Sequence, residues 1–368
     1  MADDLSPLGS EIRRLIAATG PMTVAEYMRR CLTDPKHGYY MTRDPLGARG
    51  DFTTAPEISQ MFGELIGLWL ASVWRQMGSP DNVRLIELGP GRATMMLDVL
   101  RAVKVVEGFS TAIMLHFVEI SPTLQEVQQR RLEPLGVPML WHKTLEEVPG
   151  GPCLILANEF IDALPVHQAI RRGNAWYERV IELSDDDTLH FGMAYDALPH
   201  FEAALPRELR QSPEGSVFEW RSDRVALEVG RRVREQGAAL ILDYGHTDVA
   251  LGESLQAVVG HAYTDPLAAP GEADLTAHVD FEAIAQIAES IGALIHGPIQ
   301  QRDLLIELGI EQRAAMLKAN ASPEKAAEID LALSRLTAAG TTGMGELFKA
   351  LAIASPALGA LPGFEKSR

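Results

Sequence analysis

Four short apolar runs set the rhythm of the middle of the chain: VRLIELG (83–89), AIMLHFVEI (112–120), PCLILANEF (152–160) and AALILDYG (238–245). Each is apolar at odd and even positions alike and closes on an acid or amide, the pattern of a parallel strand covered on both faces. Helical spacing follows the first run over 93–104 and the second over 122–132. Strands alternating with helices predict a doubly wound α/β sheet, which binds ligands beyond the carboxyl ends of its strands.

Upstream, helical periodicity covers 5–18 and 23–33. Ile58, Met61, Phe62, Leu65, Leu68 and Trp69 then predict a helix from 58 to about 77. HGYYMTRDPLGARGDF (37–52), between them, reads as short strands and loops. The interval from 160 to 238 is too long for one crossover helix. Its segments VHQAIRRG, AWYERVIEL and TLHFGMA alternate with period two, predicting an antiparallel β insertion. An irregular stretch after Asp243 leads to a helix near 281–290, a short ALIHG strand and several helices. GELFKALAIAS (345–355) reads as a closing edge strand.

Composition narrows the class. The 368 residues are 46% hydrophobic, enough for a large core. No apolar run is long enough to span a bilayer, and the start MADDLSPLGSEIRRLI carries acids where a leader is basic or acid-poor, so a cytoplasmic location is expected. Cys31 and Cys153 have no metal-ligand spacing, which gives no metal site. A net charge of −17 argues against nucleic acid and favours a cationic partner.

ELGPGRATMMLDVLR (87–101) is a strand, a Gly-x-Gly turn and a helix. Gly89 and Gly91 let the backbone approach a ligand closely, although a tight structural turn would use the same residues. A dinucleotide fingerprint would place a third glycine where Thr94 stands, and Glu87 is not part of that pattern. Glu-x-Gly-x-Gly instead resembles motif I of class I S-adenosylmethionine-dependent methyltransferases. Glu119 in FVEIS ends the second run, where a carboxylate can accept from both ribose hydroxyls. In HKTLEEV (142–148), Thr144 and Leu145 are candidates for cupping the adenine, as the family fold does there. Asn158, Glu159 and Asp162 crowd the end of the third run, where such enzymes orient substrates; a loop held by its own hydrogen bonds is the alternative. In GDFTTAPEIS (50–59), Thr54 and Glu57 have the spacing of a helix capping box.

GDFTTAPEISQMFGELIGLW, ELGPGRATMMLDVLR, ANEFIDALPVHQ, LILDYGH and ADLTAHVDF together closely resemble the MidA-like family, over nearly the whole chain from about residue 39. The family's mitochondrial member is a methyltransferase required for respiratory complex I assembly. It is implicated in dimethylating an arginine of the large hydrophilic subunit. The resemblance implies a Rossmann-like class I methyltransferase core over 79–368, with insertions at about 161–236 and 245–277. Residues 1–78 would form an N-terminal helical cap and cofactor lid. It implies S-adenosyl-L-methionine as cofactor and a protein substrate, with Asp51, Thr53 and Thr54 as polar lid contacts to the cofactor.

An arginine acceptor is itself a cation, so carboxylates should hold it: Glu159 and Asp162 first, with Asp243 and His278 as second candidates for receiving the proton. His278 could equally be a helix-entrance residue. A small-molecule methyltransferase, a nicotinamide-dependent dehydrogenase and a cofactor-binding assembly factor without catalysis remain as alternatives.

Overall fold

The computed structural model describes residues 6–42, 53–340 and 343–365. At its centre is a sheet whose strands run, edge to edge, Leu294–Gln300, Phe348–Ala354, Gly237–His246, Cys153–Asn158, Val83–Leu88, Ile113–Val118 and Met139–His142. All neighbours are parallel except Phe348–Ala354, which is antiparallel to both strands beside it. In chain order these seven lie 6-7-5-4-1-2-3, and an eighth strand of the sheet, Val279–Asp280, pairs off this path with Gly237–His246. The chain leaves Val83–Leu88 on one side and returns to its other side with Cys153–Asn158, pairing Leu88 with Ala157. The sheet's switch point therefore falls between these two strands, and a crevice opens beyond their ends.

The apolar runs are continuous because both faces of the sheet are covered. Leu85, Leu115, Leu154, Leu156 and Leu240 pack with Phe62, Trp69 and Val99 on one side. Ile86, Ile155, Ala239 and Ile241 pack with Val229, Val233, Phe281 and Ile284 on the other. Among the described residues no helix is long and apolar enough to cross a membrane.

Two local expectations are corrected at the entrance to helix Gln60–Gln76. Ser59 is extended (φ −160°, ψ 137°), so a separate turn, Ala55–Ile58, precedes the helix. Ser59 is the cap, its hydroxyl oxygen accepting from the Met61 amide at 3.2 Å. The capping box does not form: Thr54 makes no side-chain cap bond, and Glu57 instead accepts from the Thr94 hydroxyl.

The predicted cap also divides differently. Helix Gln60–Gln76 packs into the core, where a Cβ on Gly63 would lie 2.8 Å from Asp98 Cβ. Helices Pro7–Thr19 and Val24–Thr33 instead bury Leu8, Ile12, Tyr27 and Met28 against Val166, Ile181, Ala257 and Leu275 of the insertions. Met22–Thr23 adds an antiparallel pair to Ala175–Leu183. That strand belongs to a five-stranded sheet with Val166–Arg172, Leu189–Ala197 and Val217–Arg221, the expected antiparallel insertion. Tyr39–Thr42 is a helical turn rather than a strand. The stretch after Asp243, read as irregular, holds a small sheet of Gln256–Val259, Ala262–Thr264 and Asp274–Thr276, strands too short to show a period.

Arg221 ties the insertion to the core. It is half-buried, and its guanidinium donates to the carbonyls of Asp162, Leu164, Ala277 and His278.

GELFKALAIAS is an interior strand, not the edge. Phe348–Ala354 lies between Gly237–His246 and Leu294–Gln300, and all of its residues but Lys349 are buried.

Candidate functional site

The first core strand ends in Glu87 and Leu88 and turns through Gly89, Pro90, Gly91, Arg92 and Ala93 into helix Thr94–Ala102. Gly89 (φ 59°), Gly91 (φ 52°) and Ala93 (φ 57°) are all left-handed. A Cβ on Gly89 would lie 2.7 Å from Phe160 Cδ2, so the glycine also lets the loop of the fourth strand close over the turn. Thr94 opens the helix. Its hydroxyl donates to Glu57 and accepts from Arg131 at 2.9 Å, linking the turn to the Ala55–Ile58 segment.

Glu119 follows the second strand and is 7% exposed. Its two oxygens accept from the Ser121 amide at 2.9 Å and Gln128 Nε2 at 3.1 Å. Burial pushes its carboxyl up to about 7 despite those donors.

After the fourth strand the backbone takes a left-handed step at Glu159 (φ 50°). Asp243, at the end of the fifth strand, catches the three residues after Glu159: its Oδ2 accepts from the amides of Phe160 at 3.2 Å, Ile161 at 2.9 Å and Asp162 at 3.2 Å. This loop projects Glu159 into the crevice. Glu159 Oε1 accepts from the Ala55 amide at 3.1 Å and Asn158 Nδ2 at 3.2 Å. Burial, reinforced by Asp162, pushes the Glu159 carboxyl up to about 8.

The crevice comprises a cavity of ≈ 270 Å³ and an adjoining one of ≈ 60 Å³, both lined by Gly89, Gly91 and Glu159. The larger is lined also by Glu119, Ile120 and Leu124 and by Leu32, Thr33 and Tyr40. The smaller holds Glu87, Asn158 and Thr54. Two buried acceptors there, Glu87 Oε2 and Asn158 Oδ1, have no hydrogen-bond partner among the described residues. Burial alone pushes the Glu87 carboxyl up to about 8. Orphaned acceptors beside a close-approach turn fit an ammonium group, and Glu119 retains free lone pairs for a diol. An adenosyl amino acid carries both groups, so these residues fit S-adenosyl-L-methionine.

The structure thus brings Glu87, Gly89, Gly91, Glu119, Asn158, Glu159 and Thr54 to one crevice. Thr53 is half-buried beside Thr54, and Asp51 lies outside the described residues.

The other predicted residues stand elsewhere. Leu145 is buried in the core and Thr144 precedes a 3-10 turn; Lys143 lines the crevice instead of either. Asp162 and Asp243 do not line it. The Asp162 carboxylate accepts from the Ala163 amide at 2.8 Å and pairs with the Tyr244 hydroxyl, while Asp243 spends both oxygens on backbone amides. These two acids build the loop rather than face a ligand. His278 lines a separate cavity of ≈ 150 Å³, edge-on to Tyr244 and two residues before Asp280, which caps helix Phe281–Ser290. The helix-entrance reading of His278 is the one its position matches.

Sequence reasoning missed Tyr40, Lys143 and Gln128. Only Gln128 left a signal: a polar residue on the buried stripe Leu124, Gln128, Leu132.

Comparison with known proteins agrees with this geometry. A family model described as "Putative S-adenosyl-L-methionine-dependent methyltransferase" matches residues 65–299. A Drosophila melanogaster protein, "Protein arginine methyltransferase NDUFAF7 homolog, mitochondrial", is 40% identical over 94% of this chain and 84% of its own length. The Homo sapiens protein arginine methyltransferase NDUFAF7, mitochondrial, is 37% identical over 85% and 76% respectively. A Burkholderia thailandensis crystal structure bound to S-adenosyl-homocysteine superposes with a TM-score of 0.83 at 26% identity, covering 98% of this chain and 95% of the other.

Proposed function

Because this chain belongs to the S-adenosyl-L-methionine-dependent methyltransferase family, we propose that it methylates an arginine of a protein substrate at the crevice between Gly89 and Glu159. The observation that carries the reading is Glu159, a carboxylate that lines both cavities from a left-handed step after the fourth strand. The relatives named as protein arginine methyltransferases support arginine as acceptor, and the chain's charge of −17 suits a cationic substrate.

When bound, S-adenosyl-L-methionine supplies a methyl group activated by its sulfonium. Glu119 offers its remaining lone pairs to the ribose hydroxyls, and Glu87 and Asn158 offer their orphaned oxygens to the ammonium. Phe160 and the Ala55–Ile58 turn wall the crevice against water. Glu159 receives the guanidinium by charge-assisted hydrogen bonds and orients its plane. As the new N–C bond would form and the methyl–sulfur bond break, the sulfur keeping its electron pair in S-adenosylhomocysteine, the guanidinium proton would pass to the Glu159 carboxylate. Alignment and electrostatics are the enzyme's main contributions.

The target implied by the MidA-like resemblance is the large hydrophilic subunit of respiratory complex I, and we extend the proposal to it. The test is mass spectrometry of that subunit, unmethylated at the start, after incubation with the protein and S-adenosyl-L-methionine. New methylarginine that requires an intact Gly91 supports the proposal. Cofactor bound without methylarginine moves the acceptor to another molecule.

A further inference from the structure

Gln128 is fully buried in helix Pro122–Leu132, and its side-chain amide makes three directed bonds. Nε2 donates to the Gly91 carbonyl at 2.8 Å and to Glu119 Oε2 at 3.1 Å, and Oε1 accepts from Trp141 Nε1 at 2.7 Å. An indole N–H can only donate, so Trp141 fixes which end of the amide is oxygen and directs both amide hydrogens to the other two partners. Those partners come from separate elements. Gly91 belongs to the turn after the first strand and Glu119 to the end of the second, and both line the larger cavity. Neither Gln128 nor Trp141 lines it.

We propose that Gln128 is a positioning residue for cofactor affinity. Oriented by Trp141, its amide holds the Gly91 carbonyl and the Glu119 carboxylate at the separation the ribose end of the cofactor requires. This inference rests on the methyltransferase reading. It assigns a job to a residue that touches no reacting atom and acts only through Glu119 and the glycine turn.

The isosteric Gln128→Glu keeps the Trp141 bond but turns a second carboxylate toward Glu119 and the Gly91 carbonyl. The experiment is calorimetric titration of the full-length protein with S-adenosylhomocysteine, and with an analogue lacking both ribose hydroxyls, at several pH values. For S-adenosylhomocysteine near neutral pH, Gln128→Glu should lose roughly ten- to a hundredfold in affinity, the weight of hydrogen bonds to a charged group. The loss should shrink as pH falls, since a proton shared between the two carboxyls replaces the missing N–H. It should be much smaller for the analogue, which makes no use of the Glu119 grip. Trp141→Phe removes only the orienting donor. It should lose a smaller factor for the same ligand and add nothing to Gln128→Glu.

An equal loss for both ligands at every pH would overturn the inference, as would effects of the two substitutions that multiply fully. If Gln128→Glu does not fold, soluble Trp141→Phe with wild-type affinity overturns it instead. Wild-type protein that fails to bind S-adenosylhomocysteine would refute the cofactor reading, and the inference with it. Wild-type binding with unaltered variants refutes the inference alone.

Discussion

The amide of Ile161 points at Asp243 Oδ2 from 2.9 Å, and this bond centres a set of three from consecutive residues. The end of the fifth strand thereby shapes the loop of the fourth. Asp243 is wholly buried, with its other oxygen on the Tyr244 amide, and it lines neither cavity of the crevice. Its work is to hold the segment that presents Glu159.

Asp243→Asn should therefore act on stability first. An amide NH2 placed against converging N–H groups loses at least one charge-assisted bond, and about 2–3 kcal/mol is expected from denaturant unfolding. Cofactor binding and transfer should fall together. Transfer lost at unchanged stability would point to direct chemistry by Asp243.

Gly91→Val should abolish cofactor binding. At φ 52° a β-branched residue is strained, and its side chain would intrude on the turn that both cavities share. Equilibrium binding of S-adenosylhomocysteine to the folded variant checks this, and wild-type affinity would contradict it.

Arg221→Met should loosen the insertion from the core. Four carbonyls, of Asp162, Leu164, Ala277 and His278, would each lose a donor, and Asp162 would lose its cationic neighbour. Removing a charged donor shared by several part-buried carbonyls costs about 1–3 kcal/mol. Urea denaturation measures it; a change below about 1 kcal/mol would show the carbonyls satisfied otherwise.

Stability should also depend on pH. Burial holds the carboxyls of Glu87 and Glu159 up at about 8 and that of Glu119 at about 7, against an ordinary 4.5. Between those values the folded chain keeps protons that the unfolded chain has released. Their contribution is full below about 4.5 and is lost as pH rises through 7 to 8. The Tm of the ligand-free protein should fall over that window, and Glu87→Gln should flatten the fall. Identical slopes for the two proteins would remove Glu87 from the account.

How much of the fold and the site is legible in the sequence depends on how local each feature is. The parallel strands are readable because a sheet covered on both faces demands continuous apolar runs, as in LILAN and LIEL. Glu87, Glu119 and Glu159 are readable because a doubly wound sheet gathers its strand ends at one rim. The direction a strand-end acid faces is a tertiary fact. Asp243 looks as eligible as Glu159 until the amides of 160–162 claim it. The slot of Phe348–Ala354 between two strands, and the packing of the first two helices on the insertion rather than the core, are likewise set by distant partners. Thr94, where the missing third glycine argues against a dinucleotide fingerprint, proves to hold Glu57.

Glu159 carries the central claim, and Glu159→Gln tests it most directly, with methylarginine formation and S-adenosylhomocysteine affinity measured on the same preparation. The expected result is affinity within a few fold of wild type and no transfer, because an amide can still accept from Ala55 but can neither neutralise a guanidinium nor take its proton. Wild-type turnover by the Gln variant would contradict the claim and leave the acceptor's carboxylate to be found elsewhere.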